Sequence, residues 1–246
     1  MIATATEPRC LLGIDDLTAD ELGALLDLAA VMKRHPLAWR STLAGGAIAC
    51  VFEHAATRDR VSLEVAVHRL GALPVVLQPR GDSIADTART LSAYCDAIAV
   101  HTGRHRDLLD LVEASSVPVV NALTDRAHPC QALADCLALR ERFGTLGGLQ
   151  IAYPGPREPA MRSLIEAATL SGMTVRLATA PPLLPDPALL ARAGSAVRVC
   201  ETPQEAMNGA DVVFTAAGPR PPDATANLLP VEQAVLRTLV TGDWEA

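Results

Sequence analysis

Short runs of β-branched and small apolar residues alternate along this chain with longer Ala/Leu-rich stretches of helical periodicity, the pattern of parallel strands joined by crossover helices. Ala47–Phe52 reads as a buried strand and Arg60–Leu70 as the helix after it. Leu73–Leu77, Ala97–Val100 and Val117–Val120 are the next predicted strands, with helices predicted over Ser83–Cys95 and Arg106–Ala114. Ahead of this unit, Thr18-Ala-Asp-Glu21 has the Thr-x-x-Glu spacing of a capping box, so a helix running toward Lys33 is expected.

Behind the unit, His128–Phe143 carries apolar residues at helical spacing and ends against Gly144, Gly147 and Gly148, residues that suit a helix stop. The alternation then restarts with Leu149–Tyr153, Thr174–Leu177, Ala196–Val199 and Ala210–Phe214. The expected fold class is α/β: two α/β domains, residues 1–143 and 144–246, each a mostly parallel sheet flanked by helices, joined by a bridging helix. A cleft between such domains, at the carboxyl ends of the strands, is where a ligand is expected.

Half of the 246 residues are hydrophobic but only 3% are aromatic, so the core must be built from Ala, Leu and Val, as helices packed on a parallel sheet require. The net charge of −7, with no dense Lys/Arg stripe, argues against a surface that neutralises nucleic-acid phosphates. The first ten residues lack a basic segment followed by an apolar run, and no stretch is long and apolar enough to span a bilayer. The expected location is therefore the cytoplasm, with no membrane partner. Cys10, Cys50, Cys95, Cys130, Cys136 and Cys200 form no Cys-x-x-Cys pair and have no matching His spacing, so reduced thiols and no metal are expected.

Candidate chemistry concentrates in two segments. In Val51–Val65 a strand ends, a short polar loop follows and a helix begins; backbone N–H groups at a helix start, with Arg58 and Arg60 beside them, form an anion site. In Asn121–Asp135, Pro129 suits the first turn of a helix and sets His128 at its mouth, with Gln131 just inside. A neutral imidazole and a carboxamide there can donate hydrogen bonds to a carbonyl oxygen that gains charge during attack.

Together these segments resemble the aspartate/ornithine carbamoyltransferase family, above all its ornithine-type members. The first is similar to the signature Phe-Glu-x-x-Ser-Thr-Arg-Thr-Arg-x-Ser-x-Glu, with Thr57, Arg58, Arg60, Ser62 and Glu64 in step. The second is similar to His-Pro-x-Gln, and the intervening Gly81–Ile98 to Gly-Glu-Ser-x-x-Asp-Thr-Ala-Arg-x-Leu-Ser. More weakly, Ile151–Gly155 through Met161–Leu164 resembles the second-domain motif Ala-Tyr-x-Gly-Asp-Gly-x-Asn.

The resemblance implies transfer of a carbamoyl group from carbamoyl phosphate to an amine of an amino-acid-like substrate of ornithine type, without cofactor or metal. Rate would come from positioning and charge stabilisation. It implies catalytic roles for Arg58, His128 and Gln131, and a homotrimer whose ligands are small molecules. Thr57, Arg58, Asp59, Arg60, His101, His128, Gln131 and Glu158 are the substrate-binding candidates.

Several family positions are changed. The family's serine is Ala56 and its second threonine is Asp59; a carboxylate about 4 Å from a bound phosphate would cost about 4 kcal/mol per charge pair at an effective dielectric near 20. Pairing of Asp59 with Arg58 or Arg60 would equally remove a phosphate ligand. His101 stands where the family places an arginine, with Arg104 nearby. Glu158-Pro159 replaces an asparagine pair, and Glu158 is either a substrate-binding acid or a charge favoured by the helix dipole. Ala216 replaces an aspartate, Gly218–Pro222 replaces a Ser-Met-Gly loop, and no His-Cys-Leu-Pro motif follows, which leaves Pro230–Leu239 as the candidate closing helix. These changes keep a second reading open: a repurposed or inactive member with a different reaction on a non-phosphorylated ligand, or a binding or regulatory role.

Overall fold

Two four-stranded sheets, each formed by a successive part of the chain, organise the computed structural model, which describes residues 8–54, 56–79, 81, 83–156, 158–179, 184–214 and 222–244. The first sheet has the order β2-β1-β3-β4, with β1 Ala47–Phe52, β2 Leu73–Leu77, β3 Ala97–His101 and β4 Val119–Leu123. Every pairing in it is parallel. β4 starts two residues later than the sequence predicts, after Pro118, which has no N–H to give to a ladder.

β1 is covered on both faces, as a strand in a parallel sheet must be. Ile48, Cys50 and Phe52 pack toward α1 (Ala19–Arg34), α2 (Thr57–Arg69) and α5 (Pro129–Phe143), whereas Ala49 and Val51 pack toward α3 (Ile84–Tyr94) and α4 (His105–Ala114). The register sets Phe52 opposite His101, so β1 and β3 end level. From there the chain leaves β1 toward β2 and leaves β3 toward β4, on opposite sides, which opens a crevice at the carboxyl ends of the strands.

Helix starts follow local rules. Thr18 Oγ1 accepts from the Glu21 N–H while the Glu21 carboxylate accepts from the Thr18 N–H, the reciprocal capping expected of α1. α2 begins at Thr57, three residues earlier than its predicted start, because the Ala56 carbonyl already accepts from the Arg60 N–H at 2.8 Å. α5 is buried from Pro129 through Leu139 and stops at Gly144, whose φ of 80° is the left-handed cap that glycine adopts without penalty.

The second sheet has the order β7-β6-β5-β8, with β5 Gln150–Tyr153, β6 Thr174–Leu177, β7 Val197–Val199 and β8 Val212–Val213. Its helices are α6 (Pro159–Ser171), α7 (Pro187–Ala193) and α8 (Pro203–Met207). β8 is shorter than predicted because the Ala210 N–H closes the turn after α8 on the Met207 carbonyl.

After β8 the chain returns to the first sheet's helices. α9 (Pro222–Thr241) packs on α1, α2 and α5, so the closing helix expected over Pro230–Leu239 is present and longer. It continues through Pro230 and seats Leu228, Val231, Val235 and Leu236 in the main core. Its buried Asn227 donates to Glu141 of α5, which also accepts from Lys33 of α1. Ala216 and residues 218–221 lie outside the described residues. Among those described, no helix is long and apolar enough to cross a membrane, and all six cysteines are free thiols.

Candidate active site

The start of α2 is the first wall of the crevice. Ala56 offers no side-chain cap, which leaves the first-turn N–H groups without the oxygen that a serine would bring. Thr57 and Arg58 are exposed, but Asp59 is buried and its Oδ1 lies 2.9 Å from Arg58 Nε. Of the two ways Asp59 can pair, the structure takes the Arg58 one. Arg60 turns along the helix surface, where its Nε meets Glu64 at 2.7 Å. Each arginine expected at an anion thus already has a carboxylate partner.

His101 ends β3 with its ring edge-on to Phe52, the centroids 5.9 Å apart. It is buried, its Nδ1 has no partner among the described residues, and burial holds its pKa below the ordinary value, with Asp59 pulling the other way. The imidazole is therefore neutral at pH 7. Arg104 precedes α4, binds Asp107 at 2.9 Å and lines the same cavity as His101. Glu53, after β1, accepts from Gly103 N–H and Thr102 Oγ1 at 2.8 and 2.7 Å. Those bonds hold its carboxyl below the usual range and tie the ends of β1 and β3 together.

The second wall is the start of α5. His128 occupies the N-cap position without capping through its side chain, and its N–H donates to Ser163 Oγ of α6 at 3.0 Å. Gln131 Nε2 donates to Asp135 Oδ1 at 3.0 Å, while its Oε1 is buried with no partner among the described residues. A carboxylate only accepts, so Asp135 fixes the amide orientation, and Gln131 keeps its second Nε2 hydrogen as a donor and its Oε1 as an acceptor. Both His128 and Gln131 lie beneath the surface, at 5% and 1% exposure.

Electrostatics link the two walls. Burial pushes the Cys130 thiol up, and the Glu232 and Asp59 carboxyls push it further, so the first turn of α5 lies within electrostatic reach of the first turn of α2. Glu232 comes from α9, is buried, and accepts from Ser62 Oγ. Sequence reasoning passed over Glu232, Asp135 and Ser163. Only Asp135 had a local signal, a buried-face acid one helical turn from Gln131.

Glu158 sits at the N-cap of α6, beside the carboxyl end of β5, and accepts from Tyr153 Oη at 3.2 Å. It thus stands with the second sheet, and its side chain does not cap the helix.

A parallel sheet switching direction at β1 and β3, with helix starts converging on its carboxyl edge, is the architecture of a carbamoyltransferase donor domain. Residues 9–141 match the family described as aspartate/ornithine carbamoyltransferase, carbamoyl-P binding domain, and the chain belongs to the aspartate/ornithine carbamoyltransferase family. An ornithine carbamoyltransferase of Acidothermus cellulolyticus is 43% identical over 220 residues, covering 84% of this chain and 70% of that protein. One from Gloeobacter violaceus is 39% identical over 218 residues, covering 83% and 69%.

Solved ornithine carbamoyltransferases superpose closely. The Thermus thermophilus structure gives a TM-score of 0.87 at 34% identity, over 96% of this chain and 100% of that one. The Gloeobacter violaceus structure gives 0.86 at 33% identity, over 95% and 99%.

Proposed function

We propose that this chain transfers a carbamoyl group from carbamoyl phosphate to an amine of ornithine type. The observation that supports it is the convergence of an α2 start free of side-chain capping with the His128–Gln131 pair at the start of α5. The donor's phosphate would meet the first-turn N–H groups of α2 with Thr57 and Arg58. The carbamoyl group would lie at α5, its oxygen toward the His128 imidazole and its amide N–H toward Gln131 Oε1. Attack by the amine nitrogen forms the carbon–nitrogen bond and breaks the carbon–oxygen bond to phosphate, and the departing phosphate takes up the proton that the amine loses. Positioning and charge stabilisation supply the rate.

On this reading His101 contributes a neutral imidazole in place of a cation, and Glu158 offers a carboxylate to a cationic acceptor. Residues 1–143 form the donor half and residues 144–246 the acceptor half, and the active species is a cytoplasmic homotrimer. The names of the relatives, ornithine carbamoyltransferases, support ornithine as the acceptor. A colorimetric ureido assay with carbamoyl phosphate and ornithine, aspartate or putrescine tests the reading. Product with ornithine is expected; none with any amine overturns it.

The pairing of buried Asp59 with Arg58 favours a second reading, in which a repurposed or inactive member acts on a non-phosphorylated ligand or serves a binding or regulatory role. No ureido product, together with no heat on titration with carbamoyl phosphate, selects it.

A further inference from the structure

Asp59 is the third residue of α2. An acid in a first helical turn is ordinarily a solvated partner of the helix dipole. Asp59 is instead 8% exposed, turned inward so that its charge reaches His101 on β3, Cys130 on α5 and Glu232 on α9. Its Oδ1 holds Arg58 Nε at 2.9 Å, while the Arg58 side chain is half exposed. Arg60 is drawn away by Glu64, and Ala56 provides no hydroxyl. The cationic group at this helix start therefore already has an anion from within the chain. An arriving phosphate has to share Arg58 with that carboxylate and lie close to it, a like-charge contact in partly desolvated surroundings.

We propose that Asp59 is the specificity-determining residue of the donor site, an internal carboxylate standing in for the ligand's anion. The site then holds a phosphate dianion more weakly than the same helix start would without that carboxylate. The proposal rests on the reading above only in placing the donor's phosphate at the start of α2.

Titration calorimetry of the full-length wild type, D59N and D59T with inorganic phosphate and with carbamoyl phosphate tests it. Both variants should bind phosphate at least about tenfold more tightly than wild type, and adding R58M to D59N should abolish the gain. Folded variants that bind no more tightly than wild type overturn the proposal, as does a gain that survives R58M. A micromolar wild-type Kd for phosphate overturns it without any variant, which covers the case in which both substitutions unfold the chain. Ureido formation is not read here, so a wild type that never makes product leaves the phosphate affinities to decide.

Discussion

Ser62 on α2 donates a hydrogen bond of 2.5 Å to the Glu232 carboxyl on α9, across 170 residues of sequence. Burial holds that carboxyl well above the usual carboxylate range, and the Asp59 charge pushes it the same way. Glu232 is thus tied to α2 by Ser62, with Cys130 of α5 in electrostatic reach of its carboxyl.

Removing the hydroxyl leaves a buried polar group without its partner. S62A is expected to lower unfolding stability by about 1–3 kcal/mol, read from urea denaturation near pH 7. An unchanged midpoint would show that this contact does not stabilise the fold.

Glu166 gives a pH signature outside the proposed site. It is buried on α6, 2.9 Å from Arg162 Nε, and its pKa rises from 4.5 to about 7, first through burial and then through Asp15, against the pull of Arg162. The folded state binds this proton more tightly than the unfolded chain does. Its contribution is therefore complete below the unfolded value near 4.5, is lost as pH rises to about 7, and stays flat above that. The step is of order 3 kcal/mol. Comparing urea unfolding of wild type and E166Q across this window should show the step in wild type alone.

The start of α2 lacks a side-chain cap, and Ala56→Ser restores one. The variant should be more stable by about 1 kcal/mol, visible as a raised thermal midpoint. A lower midpoint would mean that the hydroxyl does not reach the first-turn N–H groups.

If His128 and Gln131 hold the carbamoyl group, H128A and Q131A should each lower kcat for ureido formation by about 100-fold or more while circular dichroism stays unchanged. A pure rise in KM with kcat preserved would assign them to uniform binding.

Much of the architecture was legible because it is local. β1 and β2 appear with their predicted limits, and the Thr18–Glu21 box opens α1 as its spacing requires. Boundaries moved where a neighbouring backbone group intervened: Pro118 delayed β4 and the turn at Ala210 shortened β8. In the candidate site the motif positions were readable, but their partners were not. Spacing named Arg58 and Asp59 without deciding whether the acid would turn inward. The link from Ser62 to Glu232 depends on α9 folding back, which no local pattern around either residue encodes. The orientation of the Gln131 amide emerges only once Asp135 is seen to accept one of its hydrogens.

The return of α9 onto α1, α2 and α5 means that the chain passes between the two sheets twice, outward from α5 into β5 and back between β8 and α9. A single connection would let the second sheet swivel freely, whereas a paired one confines its motion to bending about one axis. It also makes the second sheet a loop clamped at both ends on the same helical layer. A single proteolytic cut between β5 and β8 should therefore leave two fragments that travel together on a gel-filtration column, separating only when denaturant strips α9 from its seat.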